Sequence, residues 1–123
     1  MTLAEYFENT EGTGVLATAD SEGSVDAAVY ARPHFISENT VAFIMADKLS
    51  HRNLQSNPHA AYLFIEKQPG YKGKRLYLTS TSEEDDPQLV ESMRRRKTSG
   101  YGGDSSSSVV YFNIDRVRPL VGD

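Results

Sequence analysis

The chain predicts a mainly β fold: six short antiparallel strands closing as a small barrel, with few helices. Three observations carry that expectation. Apolar runs rich in Val, Ile, Tyr and Phe recur at close spacing from Val15 to Ile114. The turns between the early runs are too short for a crossover helix, so neighbouring strands must be antiparallel. A set of short antiparallel strands this numerous also closes best as a barrel, which removes exposed edges.

Taken in order, Thr2-Leu3-Ala4-Glu5 is a capping-box pattern, and Leu3, Tyr6 and Phe7 sit at helical spacing, giving a first helix to about Asn9. Glu11-Gly12-Thr13-Gly14 breaks it. Val15 to Asp20 is the first strand, and Ser21-Glu22-Gly23-Ser24 is a hairpin turn. Val25 to Arg32 is the second strand, stopped by Pro33. Ser37-Glu38-Asn39-Thr40 is a further turn, and Val41 to Met45 is the third strand, expected to pair with the second. Ala60 to Ile65 is apolar on both faces and reads as a central fourth strand. Lys67 to Gly73 is a loop with a proline–glycine turn, and Arg75 to Thr81 is the fifth strand.

An acidic run, Ser82 to Asp86, precedes the longest helix. Pro87 fits its first position, Leu89, Val90 and Met93 give its apolar face, and Arg94-Arg95-Arg96-Lys97 closes it. Acid at the start and base at the end complement the helix dipole, so the basic run reads as a solvated helix end rather than a nucleic-acid contact. Residues 97–108 are rich in serine and glycine and predict a mobile loop, with Tyr101 as its large side chain. That loop is either a linker or a flap over a site. Val109 to Ile114 is the sixth strand, and the chain trails off from Asp115.

The totals bound the function. At 123 residues the expectation is a single domain over 1–123, with a modest core that would gain from a partner chain. The formal net charge of −4 argues against non-specific nucleic-acid binding. Zero cysteines exclude disulfides, thiolate metal sites and cysteine catalysis. Neither a secretory signal nor an apolar run of membrane length is read, so the expected location is cytoplasmic, with no membrane partner.

The stretch that carries the functional reading is Asp47-Lys48-Leu49-Ser50-His51-Arg52-Asn53-Leu54. A strand ends, a lysine appears, and a short helical turn follows that Pro58 stops, with Ser50 as its N-cap. Lys48, His51 and Arg52 form a positive cluster in an acidic chain. Free amides at a helix start beside a hydroxyl and a cation suit an anion such as phosphate. Ordinary capped junctions that bind nothing share this pattern, and both readings stand. With the second and third strands as neighbours, a planar ligand could lie along the backbone near Tyr30 and Ala31, its phosphate at Lys48 and Ser50. Arg32 would add charge, or stand as a surface residue before Pro33.

No catalytic set emerges. His34, His51 and His59 lack metal-ligand spacing, so no metal site is expected, and Gly100-Tyr101-Gly102-Gly103 lacks the strand and helix of a dinucleotide loop. There is no nucleophile elbow.

From Gly14 to Thr81 the ordered phrases resemble the FMN-binding split-barrel family typified by pyridoxamine 5′-phosphate oxidase. They are Gly14-Val15-Leu16-Ala17-Thr18, the turn from Asp20 to Ser24, Val41-Ala42-Phe43-Ile44-Met45, and the run from Lys48 to Asn57-Pro58, followed by an apolar strand. The resemblance implies a split barrel that forms a homodimer with two FMN sites at the interface. Val29, Tyr30, Ala31 and Arg32 would lie along the isoalloxazine, with Ile44 and Met45 bordering it. Lys48, Leu49, Ser50 and Asn53 would hold the phosphate, and Arg75 would reach the flavin of the other chain. Arg32 or Arg75 would stabilise reduced flavin, and alanine at either would lower its potential. The oxidase's basic pair falls on Leu49-Ser50 here, and its C-terminal substrate motif is absent, so vitamin B6 oxidation does not carry over. The implied function is an FMN-dependent oxidoreductase of unassigned substrate and electron donor. The alternative is a non-catalytic carrier of flavin, deazaflavin or haem, and a third reading is a barrel that only dimerises. Flavin would supply the redox chemistry and the protein its orientation.

Overall fold

The computed structural model describes residues 1–94 and 107–122. The elements run α1 (Leu3–Asn9), β1 (Gly12–Ala19), β2 (Val25–Tyr30), β3 (His34–Ser37), β4 (Thr40–Met45), α2 (Leu49–Ser56), β5 (His59–Glu66), β6 (Gly73–Glu84), α3 (Pro87–Met93) and β7 (Ser108–Pro119). The strands form one antiparallel sheet in the order β2-β1-β5-β6-β7-β4-β3.

This is the mainly β, split-barrel class that the sequence predicts, with seven strands rather than six. The additional strand is His34–Ser37, which Pro33 separates from β2. It takes the place beside β4 that the sequence reading gave to β2. The predicted pairing of the second strand with Val41–Met45 is therefore wrong. The reason lies in the connection: Ala31, Arg32 and Pro33 alone join β2 to β3, yet these strands stand at opposite edges of the sheet. Four residue steps span at most about 14 Å. The sheet must curl until its edges nearly meet, without closing.

Side-chain alternation follows from that curl. Leu16, Tyr62, Phe64, Leu76, Leu78, Phe43, Met45 and Phe112 point inward and are buried with Phe7 of α1. Tyr62 bridges the two halves: its ring lies 5.1 Å from that of Phe43, and its hydroxyl donates to the carbonyls of Tyr30 at 3.2 Å and Ala31 at 3.0 Å. The hydroxyl fits because residue 14 is glycine, since a Cβ there would stand 1.8 Å from the Tyr62 oxygen. Gly12 is similarly pressed on the Ile65 carbonyl. Glycines that read as breakers are thus part of β1, placed for close approach.

Other boundaries also move. The capping box forms as predicted, with Glu5 N donating to Thr2 Oγ1 and Thr2 N to Glu5 Oε1. The first hairpin pairs Ala19 with Val25 across the Asp20–Ser24 turn, and β5 is central between β1 and β6. The acidic run is strand up to Glu84, and Asp115–Pro119 continues β7 instead of trailing off. The late helix has seven residues, capped by Asp86, whose side chain accepts from Gln88 N. It covers Ala42 and Val109 on the outer face of β4 and β7. Of the predicted serine-rich loop and the basic run, residues 95–106 lie outside the described residues, whereas Ser107 and Ser108 are buried and Ser108 opens β7.

The Tyr62 strut gives an ordered pair of outcomes. Tyr62→Phe should cost about 1 kcal/mol, the net worth of a buried hydrogen bond. Gly14→Ala should cost more, roughly 1–3 kcal/mol, because the ring carbon bearing the hydroxyl and the Tyr30 carbonyl would also be overlapped. Urea unfolding of the two variants checks both values and their order.

Candidate functional site

The alternation of β2 sends Asp26, Ala28 and Tyr30 toward the interior and Val25, Ala27 and Val29 to the outer face, matched on β1 by Thr18, Leu16 and Gly14 against Ala19, Ala17 and Val15. Helix α2 packs on the inward-facing end of this hairpin. Asn53 donates to Thr18 Oγ1 at 3.0 Å and Ser50 donates to Asp26 Oδ2 at 3.1 Å. Both Ser50 and Asn53 are buried, so these two bonds fix the helix on the sheet.

The helix begins two residues earlier than a Ser50 cap implies. Lys48, not Ser50, is the N-cap, in extended conformation, and its side chain makes no cap hydrogen bond. Ser50 instead lies inside the first turn and spends its hydroxyl proton on Asp26. The first amides of α2 therefore donate no hydrogen bond to the cap side chain, and the cap residue itself, Lys48, is an exposed cation. Leu49 is also exposed. Cation and open amides fit an anionic phosphate. The carboxylates of Asp26 and of Asp47, which precedes the cap, oppose it.

Tyr30 stands half-buried against Phe43, with ring centroids 6.0 Å apart. Burial pushes its phenol above the ordinary range, opposed by a hydrogen bond with Ser50 and reinforced by the Asp26 charge. Tyr30, Ser50 and Asp26 are thus one polar group at the mouth of the barrel. Among the described residues β2 pairs only with β1, so the backbone groups on its other side have no strand partner among them. At its end the carbonyls of Tyr30 and Ala31 are already accepting from Tyr62.

The remaining candidate residues separate. Val29 and Tyr30 face opposite sides of β2. Met45 is buried in the main core, whereas Ile44 packs with Ala42 and Val109 beneath α3. The Arg32 guanidinium donates to the carbonyls of Phe7 at 2.8 Å, Glu8 at 3.3 Å and Thr10 at 3.4 Å, so it closes the C-terminus of α1. Arg75 lies at the start of β6, on the outer face, where it donates to the carbonyls of Pro119 at 2.8 Å and of Gly122. His51 of α2 meets Glu83 at the other end of β6. Eight residues of strand, roughly 26 Å, separate Arg75 from that end. Within one chain, Arg75 and the junction are not brought together.

Sequence reasoning missed Asp26, Thr18 and Tyr62. Asp26 could have been found as a carboxylate in the inward phase of an otherwise apolar strand. His51 also has a role the sequence did not show. Its Nε2 lies 2.9 Å from Glu83 Oε2 and its Nδ1 3.3 Å from Asp47 Oδ1. Both nitrogens donate only when the ring is protonated. No cluster of metal-ligand type occurs among the described residues, and no helix among them is long and apolar enough to cross a membrane.

An open, curled antiparallel sheet with a short helix docked at the barrel mouth defines a split-barrel protein. The family model for pyridoxamine 5′-phosphate oxidase matches residues 3–120, and the chain belongs to that family. Among solved structures, an FMN-binding protein from Syntrophomonas wolfei is similar with a TM-score of 0.77 and 17% identity, covering 98% of this chain and 84% of that one. HupZ from Group A Streptococcus has a TM-score of 0.72 at 16% identity, covering 96% and 90%. An F420 reductase has a TM-score of 0.72 at 15% identity, covering 96% and 98%. At these identities the likeness is one of fold. No curated protein matches the chain.

The His51–Glu83 contact generates a pH dependence. Burial raises Glu83, but hydrogen bonds from His51 and Gln55 outweigh it and hold the carboxyl below its ordinary value of 4.5. Its contribution is complete above that value and is lost as pH falls through the lower folded value. Melting of the native protein and Glu83→Gln should differ at pH 6, by less than about 1 kcal/mol because the carboxylate is over a third exposed, and converge toward pH 3.

Proposed function

We propose that the protein is an FMN-binding oxidoreductase that works as a homodimer, with its flavin sites at the interface. The observation that carries this reading is the family match over residues 3–120, joined to the anion-ready junction at Lys48 and α2. Lys48 and the amides of Leu49 and Ser50 would hold the phosphate, joined by the Ser50 hydroxyl once it turns from Asp26. Asn53 supports them by anchoring α2 to Thr18. The open edge of β2, from Val29 to Arg32, would lie along the ring system, with Tyr30 closing the inner side. Bound flavin would supply hydride and electron transfer, while this chain binds, orients and shields it.

The outer face of the sheet supports a second copy as the partner. Val25 and Val29 are 81% and 75% exposed, and Ile65 also faces solvent. Val15, Ala17, Ala61 and Leu63 complete an apolar surface across β2, β1 and β5. Such a surface marks an interface. A second copy is also what can bring Arg75 to a junction it does not reach within its own chain. As the arginine free of α1, Arg75 is the residue assigned to stabilise reduced flavin.

The first test is the visible spectrum of the purified protein and of the supernatant after heating. Flavin bands released into solution, with FMN retained better than riboflavin, would support the reading. A colourless protein that FMN does not stabilise against heat would overturn it. A ligand at about 100 times its dissociation constant adds about 2.7 kcal/mol, well within reach of a melting curve.

Asp26 gives a sharper expectation. A charge at a helix start is worth about 0.3–1 kcal/mol. Asp26→Asn removes the negative one beside the phosphate, so FMN affinity should rise roughly two- to fivefold. Fluorescence titration measures it, and unchanged or weaker binding would place the phosphate elsewhere.

A further inference from the structure

We infer a second anion site on the outer face of β6 and β7, built from Arg75, Tyr77, Arg116 and Arg118, that binds a phosphorylated small molecule of nucleotide size. These four residues line an open cavity of about 450 Å³. Ligand pockets for small molecules begin near about 300 Å³.

The arginines are on this face because of a bulge. Up to Ile114, the even-numbered residues of β7 face the core: Val110, Phe112 and Ile114 all pack there. Continued unbroken, that phase would send Arg116 and Arg118 inward. The register shifts instead, so that Leu78 pairs with Ile114 but Tyr77 pairs with Arg116 and Arg75 with Arg118. Val117 thereby falls opposite inward-facing Leu76, and the two arginines turn out beside Arg75 and Tyr77. A bulge that re-aims side chains is a feature of sites.

The cluster is also ordered. Arg118 lies over the ring of Tyr77, 5.6 Å from its centroid, and Arg75 is held by the carbonyls of Pro119 and Gly122. The carboxylate nearest in sequence, Asp115, is engaged elsewhere. Its Oδ2 accepts from Thr79 at 2.5 Å and its Oδ1 from Asn113 at 2.9 Å. No salt bridge among the described residues involves Arg75 or Arg116. Three guanidiniums gathered on a chain of net charge −4 suit a ligand with several phosphate oxygens, which guanidinium groups bind through paired hydrogen bonds. A diphosphate carries charge of the matching size.

The site shares Arg75 with the flavin contact proposed above, so the test varies Arg116 and Arg118, which that contact does not use, and keeps the two apart. ADP and adenosine are titrated by calorimetry into the full-length protein, Arg116→Gln, the double variant Arg116→Gln/Arg118→Gln, and Lys48→Gln. ADP should bind and adenosine should not. Each arginine change should weaken ADP by about tenfold, the scale of one charge-assisted hydrogen bond. Lys48→Gln should leave ADP binding within about twofold, because Arg116 and Arg118 belong to the outer face of β6 and β7 and not to the junction. Melting curves confirm that the exposed Arg116→Gln variant is folded. Absence of ADP binding, equal binding of adenosine, or loss in Lys48→Gln with none in the arginine variants would each overturn the assignment.

Discussion

The hydroxyl of Tyr62 is the contact on which the barrel depends. It reaches from the central strand to the carbonyls of Tyr30 and Ala31, where β2 leaves the sheet for β3. Those two strands are opposite edges of one sheet, and only three residues join them. The chain can cross there only if the sheet is curled tightly enough to bring its edges together. Tyr62 satisfies the backbone at that crossing and fills the space between the halves with a ring against Phe43. Gly14 is the complementary constraint, since its missing side chain is the space the hydroxyl occupies. The same crossing sets the direction of Arg32, which closes α1, and the exposure of the β2 edge.

Local elements were legible in the sequence wherever a local rule decided them. Thr2 and Glu5 form their capping box, Pro87 starts α3, and the Asp20–Ser24 turn pairs β1 with β2, because each depends on residues a few positions apart. Strand partners were less legible. Val25–Arg32 and Val41–Met45 look like consecutive strands of a meander, but Pro33 cuts the first short and leaves His34–Ser37 to take the pairing. No local pattern distinguishes these outcomes, since the choice is made by the curl of the whole sheet. Gly12 and Gly14 show the same limit: a glycine that breaks a strand and a glycine that admits a neighbouring tyrosine are identical in sequence.

The site was legible as a stretch and not as an arrangement. The run from Lys48 to Asn53 does place a cation and open amides at a helix start. What the sequence could not supply was the competition for Ser50. Its bond to Asp26 crosses 24 residues and depends on the inward phase of β2. The junction is therefore more balanced than its basic residues suggest: Lys48 favours an anion, Asp26 opposes one, and Ser50 is shared between them. Arg32, read as site charge, is a helix-terminus residue because α1 folds back over the β2–β3 crossing.

The outer face divides into three parts with different surface chemistry. Helix α3 covers β4 and the adjoining part of β7, β2 with β1 and β5 is apolar and open, and the far end of β6 with β7 is basic. The first part is an ordinary satellite core. The second and third adjoin along β5 and β6, where Ala61 neighbours Tyr77 and Leu63 neighbours Arg75. A second copy seated on the apolar part would leave the arginine cavity at the border of the contact, half formed by neighbouring apolar surface. Desolvation at such a border strengthens each guanidinium–phosphate contact, because the local dielectric falls while the ligand remains able to enter from solvent. On the proposed reading, the bulge at Asp115 and the apolar face of β5 act together: one turns the arginines outward and the other limits the water around them.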